Sequence, residues 1–118
     1  MCGICGQVFF DGQKTAETGV SDMLEALVHR GPDGHWLRFD QHAEFGMARL
    51  TIRGLTSGEQ PLVDAATGVM IVCNGEIDNH LALRDFLRER GREVLEDTDV
   101  AVLPGLYLEL GEAFVERL

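Results

Sequence analysis

Apolar residues recur along this chain with a period of two in some stretches and three to four in others, separated by Gly, Pro, Asp and Asn. Ile4 to Phe10 predicts a strand closed by a turn at Asp11-Gly12. Met23, Leu24, Leu27 and Val28 fall on one helical face, which Ser21 can cap and Gly31-Pro32 terminates. Glu44 to Ile52 predicts a further strand, and Val69 to Cys73 is the strongest buried-strand signal, broken by Asn74-Gly75. Asn79 can cap an amphipathic helix carrying Leu81, Leu83, Phe86, Leu87 and Arg90, with a charged outer side. Val100 to Leu118 is helical in pattern, and Pro104-Gly105 is expected to kink or split it. The layout is α+β, with helices set against sheets and no internal repeat.

Composition narrows the partners. The chain has 118 residues, room for one domain, and 45% apolar residues are enough for a core. Twenty acidic against ten basic side chains give a formal net charge of −10, which repels phosphate backbones and anionic lipid surfaces, so neither nucleic acid nor membrane is expected as a partner. No apolar run approaches the roughly 18 residues of a membrane span, and no signal-peptide pattern opens the chain; the expected location is the cytoplasm. Cys2, Cys5 and Cys73 are an odd number of cysteines, unsuited to a disulfide framework. Cys2-Gly3-Ile4-Cys5 spells a Cys-x-x-Cys pair, but no second pair or close His pair completes a zinc site, so no metal is expected. Cys5 reads as a small buried strand residue.

Cys2 is the residue with the most chemistry. Removal of Met1 would place a thiol and a free α-amine on one carbon. An α-amine with a pKa of roughly 7.7–8.0 is suited to act as a general base near neutral pH, so one residue can supply nucleophile and base together.

Five motifs then follow in order: Cys2-Gly3-Ile4-x-Gly6, His29-Arg30-Gly31-Pro32-Asp33, Ala48-Arg49-Leu50-Thr51-Ile52, Glu59-Gln60-Pro61-Leu62 and Asn74-Gly75-Glu76-Ile77-x-Asn79-His80. Together they closely resemble the glutaminase domain of class II glutamine amidotransferases, in the asparagine synthetase branch. The resemblance implies an N-terminal-nucleophile hydrolase fold, an αββα sandwich of antiparallel sheets. It also implies hydrolysis of L-glutamine to glutamate and ammonia for transfer to an acceptor such as aspartate. By the family pattern Cys2 attacks the amide, and the Asn74 side chain with the Gly75 N–H forms the oxyanion hole. Arg49 grips the substrate carboxylate, Leu50 and Ile52 belong to the same substrate-binding stretch, and Glu76 with Asp99 receives the ammonium; Asp97 is the second choice for that last role. Arg30-Gly31-Pro32-Asp33 reads as structural, with Pro32 fixing a turn and Arg30 paired to Asp33. Singly, each site residue has an ordinary alternative: Arg49 an exposed strand charge, Asp99 a helix cap, Asn74-Gly75 a hairpin turn.

The chain departs from the family pattern at Cys73 and Asp78, where an aromatic is usual. Residues 1–118 are expected to be a partial glutaminase domain, incomplete at the C-terminus and without the synthetase domain. No cofactor is expected for this segment, while ATP and Mg²⁺ are expected for the missing synthetase domain. That domain, in cis or in trans, is the expected partner, and an uncovered sheet edge leaves homodimerisation open. Two alternatives stand beside the enzyme: a non-catalytic truncated remnant that binds glutamine or a partner protein, and a thiol-redox or metal protein acting through Cys2 and Cys5.

Overall fold

The computed structural model describes residues 2–10, 19–39, 41–51 and 59–118. The predicted turn at Asp11-Gly12 and the site residue Ile52 lie outside the described residues. Strand β1 spans Gly3–Val8, helix α1 Val20–Ala26, β2 Gly34–Phe39 and β3 Ala43–Arg49; a short 3-10 turn at Val28–Arg30 follows α1. Strands β4 (Leu62–Val63) and β5 (Met70–Ile71), helix α2 (His80–Arg88), a 3-10 turn at Asp99–Val102, helix α3 (Leu103–Leu110) and a 3-10 segment at Gly111–Arg117 complete the order. The mixture of helices and antiparallel sheets is α+β. Among the described residues no helix is long and apolar enough to cross a membrane.

The chain forms two compact units. The first contains β1, α1, β2 and β3 together with Val72–Gly75. Its three-stranded sheet has the order β1-β3-β2, both pairs antiparallel, so β3 is central. That position explains why Met47 and Ala48 of β3 are fully buried. Cross-strand partners share a face, and the register Gly3↔Ala48 and Cys5↔Gly46 lines one face with small side chains. Helix α1 rests there: a Cβ on Gly3 would come 3.0 Å from the Leu27 side chain, and one on Gly46 3.4 Å from that of Leu24. At seven residues α1 is too short to persist alone, and the buried Val20 anchors it to the sheet.

The second unit holds β4, β5, α2 and α3. Leu83 and Leu87 lie one turn apart on α2 and are buried, as are Val100, Val102, Leu103 and Leu106. Burial of one such side chain contributes roughly 1.5–3 kcal/mol. Gly105 lets α3 approach α2 closely, since a Cβ there would lie 3.0 Å from Leu87 Cδ1. Outside this core, the guanidinium of Arg90 stacks 3.6 Å above the Phe86 ring and Tyr107 meets Phe114 edge-on at 6.1 Å.

Several expectations are corrected. Ser21 lies inside α1, whose N-cap is Gly19, and Met23 and Val28 are exposed because the helix buries chiefly Val20. Residues 69–73 do not make a long buried strand: β5 has two residues, half-buried, and among the described residues it pairs with β4 alone. Asn79 holds the N-cap position, but its side-chain amide donates to the Arg117 carbonyl at 2.7 Å instead of capping α2. Pro104 does not kink a long helix, because it sits in the first turn of α3, where its missing N–H costs nothing. The chain breaks instead at Gly111, with φ of 59°. Finally, Gly34–Phe39 is a strand the hydrophobic pattern did not predict.

Candidate active site

The antiparallel register Gly3↔Ala48 brings the residue before β1 beside the residues that follow β3. Cys2 is therefore held against Leu50. The Leu50 N–H donates to Cys2 Sγ at 3.3 Å, and the thiol donates to the Leu50 carbonyl at 3.5 Å. Arg30 fixes the same residue from its other side, its Nε donating to the Cys2 carbonyl at 3.1 Å. Both the sulfur and the backbone of a half-buried Cys2 are thus positioned. An open depression of about 500 Å³ lies against these residues, lined by His29, Arg30, Pro32 and Leu50.

The segment carrying Arg30 is fastened to the end of β3. Asp33 N–H donates to the Arg49 carbonyl at 3.0 Å, and the Asp33 carboxylate accepts the Thr51 N–H at 2.7 Å. The expected Arg30–Asp33 pair is thereby corrected: each side chain serves a backbone group, one on Cys2 and the other on Thr51. Gly31 is buried directly on β3, where a Cβ would stand 2.3 Å from the carbonyl carbon and oxygen of Ala48. Its φ of −147° is available to any residue, so contact with the β3 backbone is what demands glycine. The sequence reading gave Arg30 and Gly31 a structural role in a turn and did not foresee the Arg30 bond to the Cys2 carbonyl or the close seat of Gly31 on β3.

Arg49, Asn74 and Gly75 belong to the same unit as Cys2. Arg49 ends β3 half-buried, opposite Gly34, while Asn74 and Gly75 are exposed. The structure gives Gly75 no strained turn: the positive-φ glycines among the described residues are Gly68, Gly91 and Gly111. A Cβ on Gly75 would meet Cys73 Sγ at 3.8 Å, an ordinary contact.

Glu76 and Asp99 lie in the second unit. Asp99 opens the 3-10 turn before α3 and is 7% exposed, its Oδ2 accepting the Ile77 N–H at 2.7 Å. One carboxylate oxygen thus reaches across to the residue after Glu76. Asp97 is exposed, in the irregular segment before Asp99.

Cys2 and Cys5 are free thiols with different surroundings. Cys5 Sγ lies 3.9 Å from the Val20 carbonyl and 3.7 Å from that of Gly46, and burial pushes its thiol above the ordinary value of 9.0. Among the described residues no group of three or more His, Cys, Asp or Glu is arranged to hold a metal ion.

Comparison with known proteins gives a match to the glutamine amidotransferase domain over residues 1–118. The chain is 34% identical over 123 residues to asparagine synthetase [glutamine-hydrolyzing] 1 of Bacillus subtilis (strain 168), covering all of this chain and 19% of that protein. It is 34% identical over 119 residues to asparagine synthetase [glutamine-hydrolyzing] 3 of Arabidopsis thaliana, covering all of this chain and 20% of the relative. Against the asparagine synthetase [glutamine-hydrolyzing] of Sandersonia aurantiaca the identity is 36% over 121 residues, again the whole chain and 22% of the relative. The chain spans about a fifth of the length of these relatives. With the match running from end to end, the chain belongs to the glutamine amidotransferase domain family, in its asparagine synthetase type.

Proposed function

We propose that this chain hydrolyses the side-chain amide of L-glutamine to glutamate and ammonia, as the glutaminase part of an asparagine synthetase-like enzyme. The observation that carries the reading is the placement of Cys2, anchored at its sulfur by the backbone of Leu50 and at its carbonyl by Arg30. Fixing both ends of a nucleophile lowers the entropy that must be lost on approach to the amide carbon.

In this mechanism Met1 is removed and the Cys2 amine becomes free. The thiol proton passes to that amine, directly or through a water, as Sγ attacks the amide carbon of glutamine. The negative charge that forms on the amide oxygen is received by the Asn74 side-chain amide and the Gly75 N–H. The C–N bond breaks, the amine returns its proton to the leaving nitrogen, and ammonia departs from a thioester on Cys2. Water then attacks the thioester with the same amine as base, releasing glutamate and restoring the thiol. Arg49 holds the substrate carboxylate with its planar guanidinium, in the stretch that Leu50 and Ile52 share. Glu76 and Asp99 hold the ammonium, and Asp99 is preferred to Asp97 because its carboxylate is tied to the backbone beside Glu76.

An N-terminal-nucleophile αββα architecture accompanies this reading. The partner is a synthetase module, in cis or in trans, that uses ATP and Mg²⁺ to activate an acceptor such as aspartate; the expected location is the cytoplasm. A diazoketone analogue of glutamine tests the assignment of the nucleophile. Peptide mapping is expected to find the adduct on Cys2 and not on Cys5 or Cys73, with protection by glutamine. Modification of Cys73 in place of Cys2 would overturn it.

A further inference from the structure

Residues 93–97 run between α2 and Asp99 with no helix or strand of their own, and Glu93, Leu95, Glu96 and Asp97 are exposed. Little apolar burial holds this stretch: Leu95 is 84% exposed. Arg84 of α2 holds it instead. Its Nη1 donates to the Val94 carbonyl at 3.0 Å, and its Nη2 donates to the carbonyls of Glu96 and, at 2.7 Å, of Thr98. One half-buried guanidinium thus gathers three alternate carbonyls, the last of them on the residue bonded directly to Asp99. Thr98 and Asp99 are buried, the Thr98 carbonyl also accepts the Ala101 N–H at 3.3 Å, and Asp99 Oδ2 accepts the Ile77 N–H.

We infer that Arg84 is a positioning residue for Asp99 and, through it, for recognition of the α-ammonium group of the substrate. The inference rests on the glutaminase reading above. A carboxylate that opens a helical segment is only as well placed as the backbone entering that segment, and here the entering backbone is fixed by Arg84. A planar guanidinium suits the task because its donors diverge in one plane and reach several carbonyls together. A lysine ammonium would concentrate its donors at a point on a flexible stem.

The test compares glutamine with glutaramate, which is glutamine without the α-amine, in the full chain freed of Met1. The quantity read is the ratio of the two kcat/KM values. Asp99→Asn is expected to collapse the wild-type preference for glutamine. Arg84→Gln is expected to lower it by about tenfold or more, the scale of a lost hydrogen bond to a charged group, through KM for glutamine. Turnover of glutaramate by the same variant is expected to stay within about twofold of wild type, since that substrate makes no demand on Asp99. Arg84→Lys, which keeps the charge, is expected to leave the preference depressed. Retention of the wild-type ratio by Arg84→Gln while Asp99→Asn loses it would overturn the inference. Equal loss of both substrates would overturn it too, because a merely structural arginine acts that way. An unchanged ratio in Asp99→Asn would instead remove the ammonium assignment on which the inference stands.

Discussion

Gly31→Ala is a one-methyl perturbation with consequences for stability and for catalysis. The new Cβ would lie 2.3 Å from the carbonyl carbon and oxygen of Ala48 and 2.5 Å from the Arg49 nitrogen, roughly 1 Å inside the 3.4 Å at which ordinary contact begins. The obstacle is the backbone of the central strand, which cannot rotate away. Overpacking of this kind costs about 1–3 kcal/mol. Separating the two segments also strains the Asp33 N–H to Arg49 carbonyl bond at 3.0 Å and the Thr51 N–H to Asp33 bond at 2.7 Å, each worth about 1 kcal/mol. A total loss of about 3 kcal/mol is expected, a large share of the 5–15 kcal/mol typical of a domain. The displaced residues lead directly to Leu50, so the anchor on Cys2 Sγ moves with them; a 1 Å misplacement can lower turnover about a hundredfold. Urea denaturation at unchanged m-value reads the first effect, and Cys2-dependent glutamate release reads the second. Gly3→Ala is the milder comparison, because the nearest atoms to its Cβ belong to the Leu27 side chain, the closest being Leu27 Cβ at 3.0 Å, and it is expected to cost less than Gly31→Ala. The reasoning is refuted if Gly31→Ala is as stable as Gly3→Ala and turns over at the wild-type rate.

Leu87→Ala, at a fully buried position of α2 against α3, is expected to lower stability by about 2–5 kcal/mol in the same denaturation assay. Asn74→Ala is expected to lower kcat for glutamine hydrolysis about 100- to 1,000-fold with little change in KM, the pattern of a donor that acts in the transition state. Asp64 accepts hydrogen bonds from the Thr67 side chain and from the Thr67 and Ala66 backbone, and these hold its carboxyl below the ordinary value of 3.8. A depressed folded-state pKa contributes stability that is present above 3.8 and lost as pH falls through the folded value, so Asp64→Asn is expected to flatten the acid limb of a stability-versus-pH curve.

The elements that could be read from the sequence were those whose apolar period matched their burial. Strands β1 and β3, and helix α2 with Leu83 and Leu87 one turn apart, appear close to where the pattern put them. Strand β2 was not read because His35, Arg38 and Gly34 interrupt its apolar residues; the Pro32-Asp33-Gly34 turn before Trp36 and Leu37 was its available signal. Val69–Cys73 misled in the opposite direction, since an apolar run reports what a strand can bury and not whether a partner strand is long enough to bury it. Among the site residues, Cys2 and Leu50 come into direct contact, which the sequence reading did not specify. The tethers were not legible: Arg30 reaches back 28 positions to Cys2, and Arg84 reaches forward to carbonyls that carry no sequence identity. Backbone acceptors look alike at every residue, so the arginines that use them announce themselves only in the fold.

The most direct test of the central claim is glutamate release from L-glutamine by the purified chain, with intact mass establishing that Met1 is gone. The account predicts equimolar glutamate and ammonia, abolished by Cys2→Ala and unaffected by Cys73→Ala. Undiminished release by a folded Cys2→Ala chain, or none from the folded, Met1-free wild type, would contradict it.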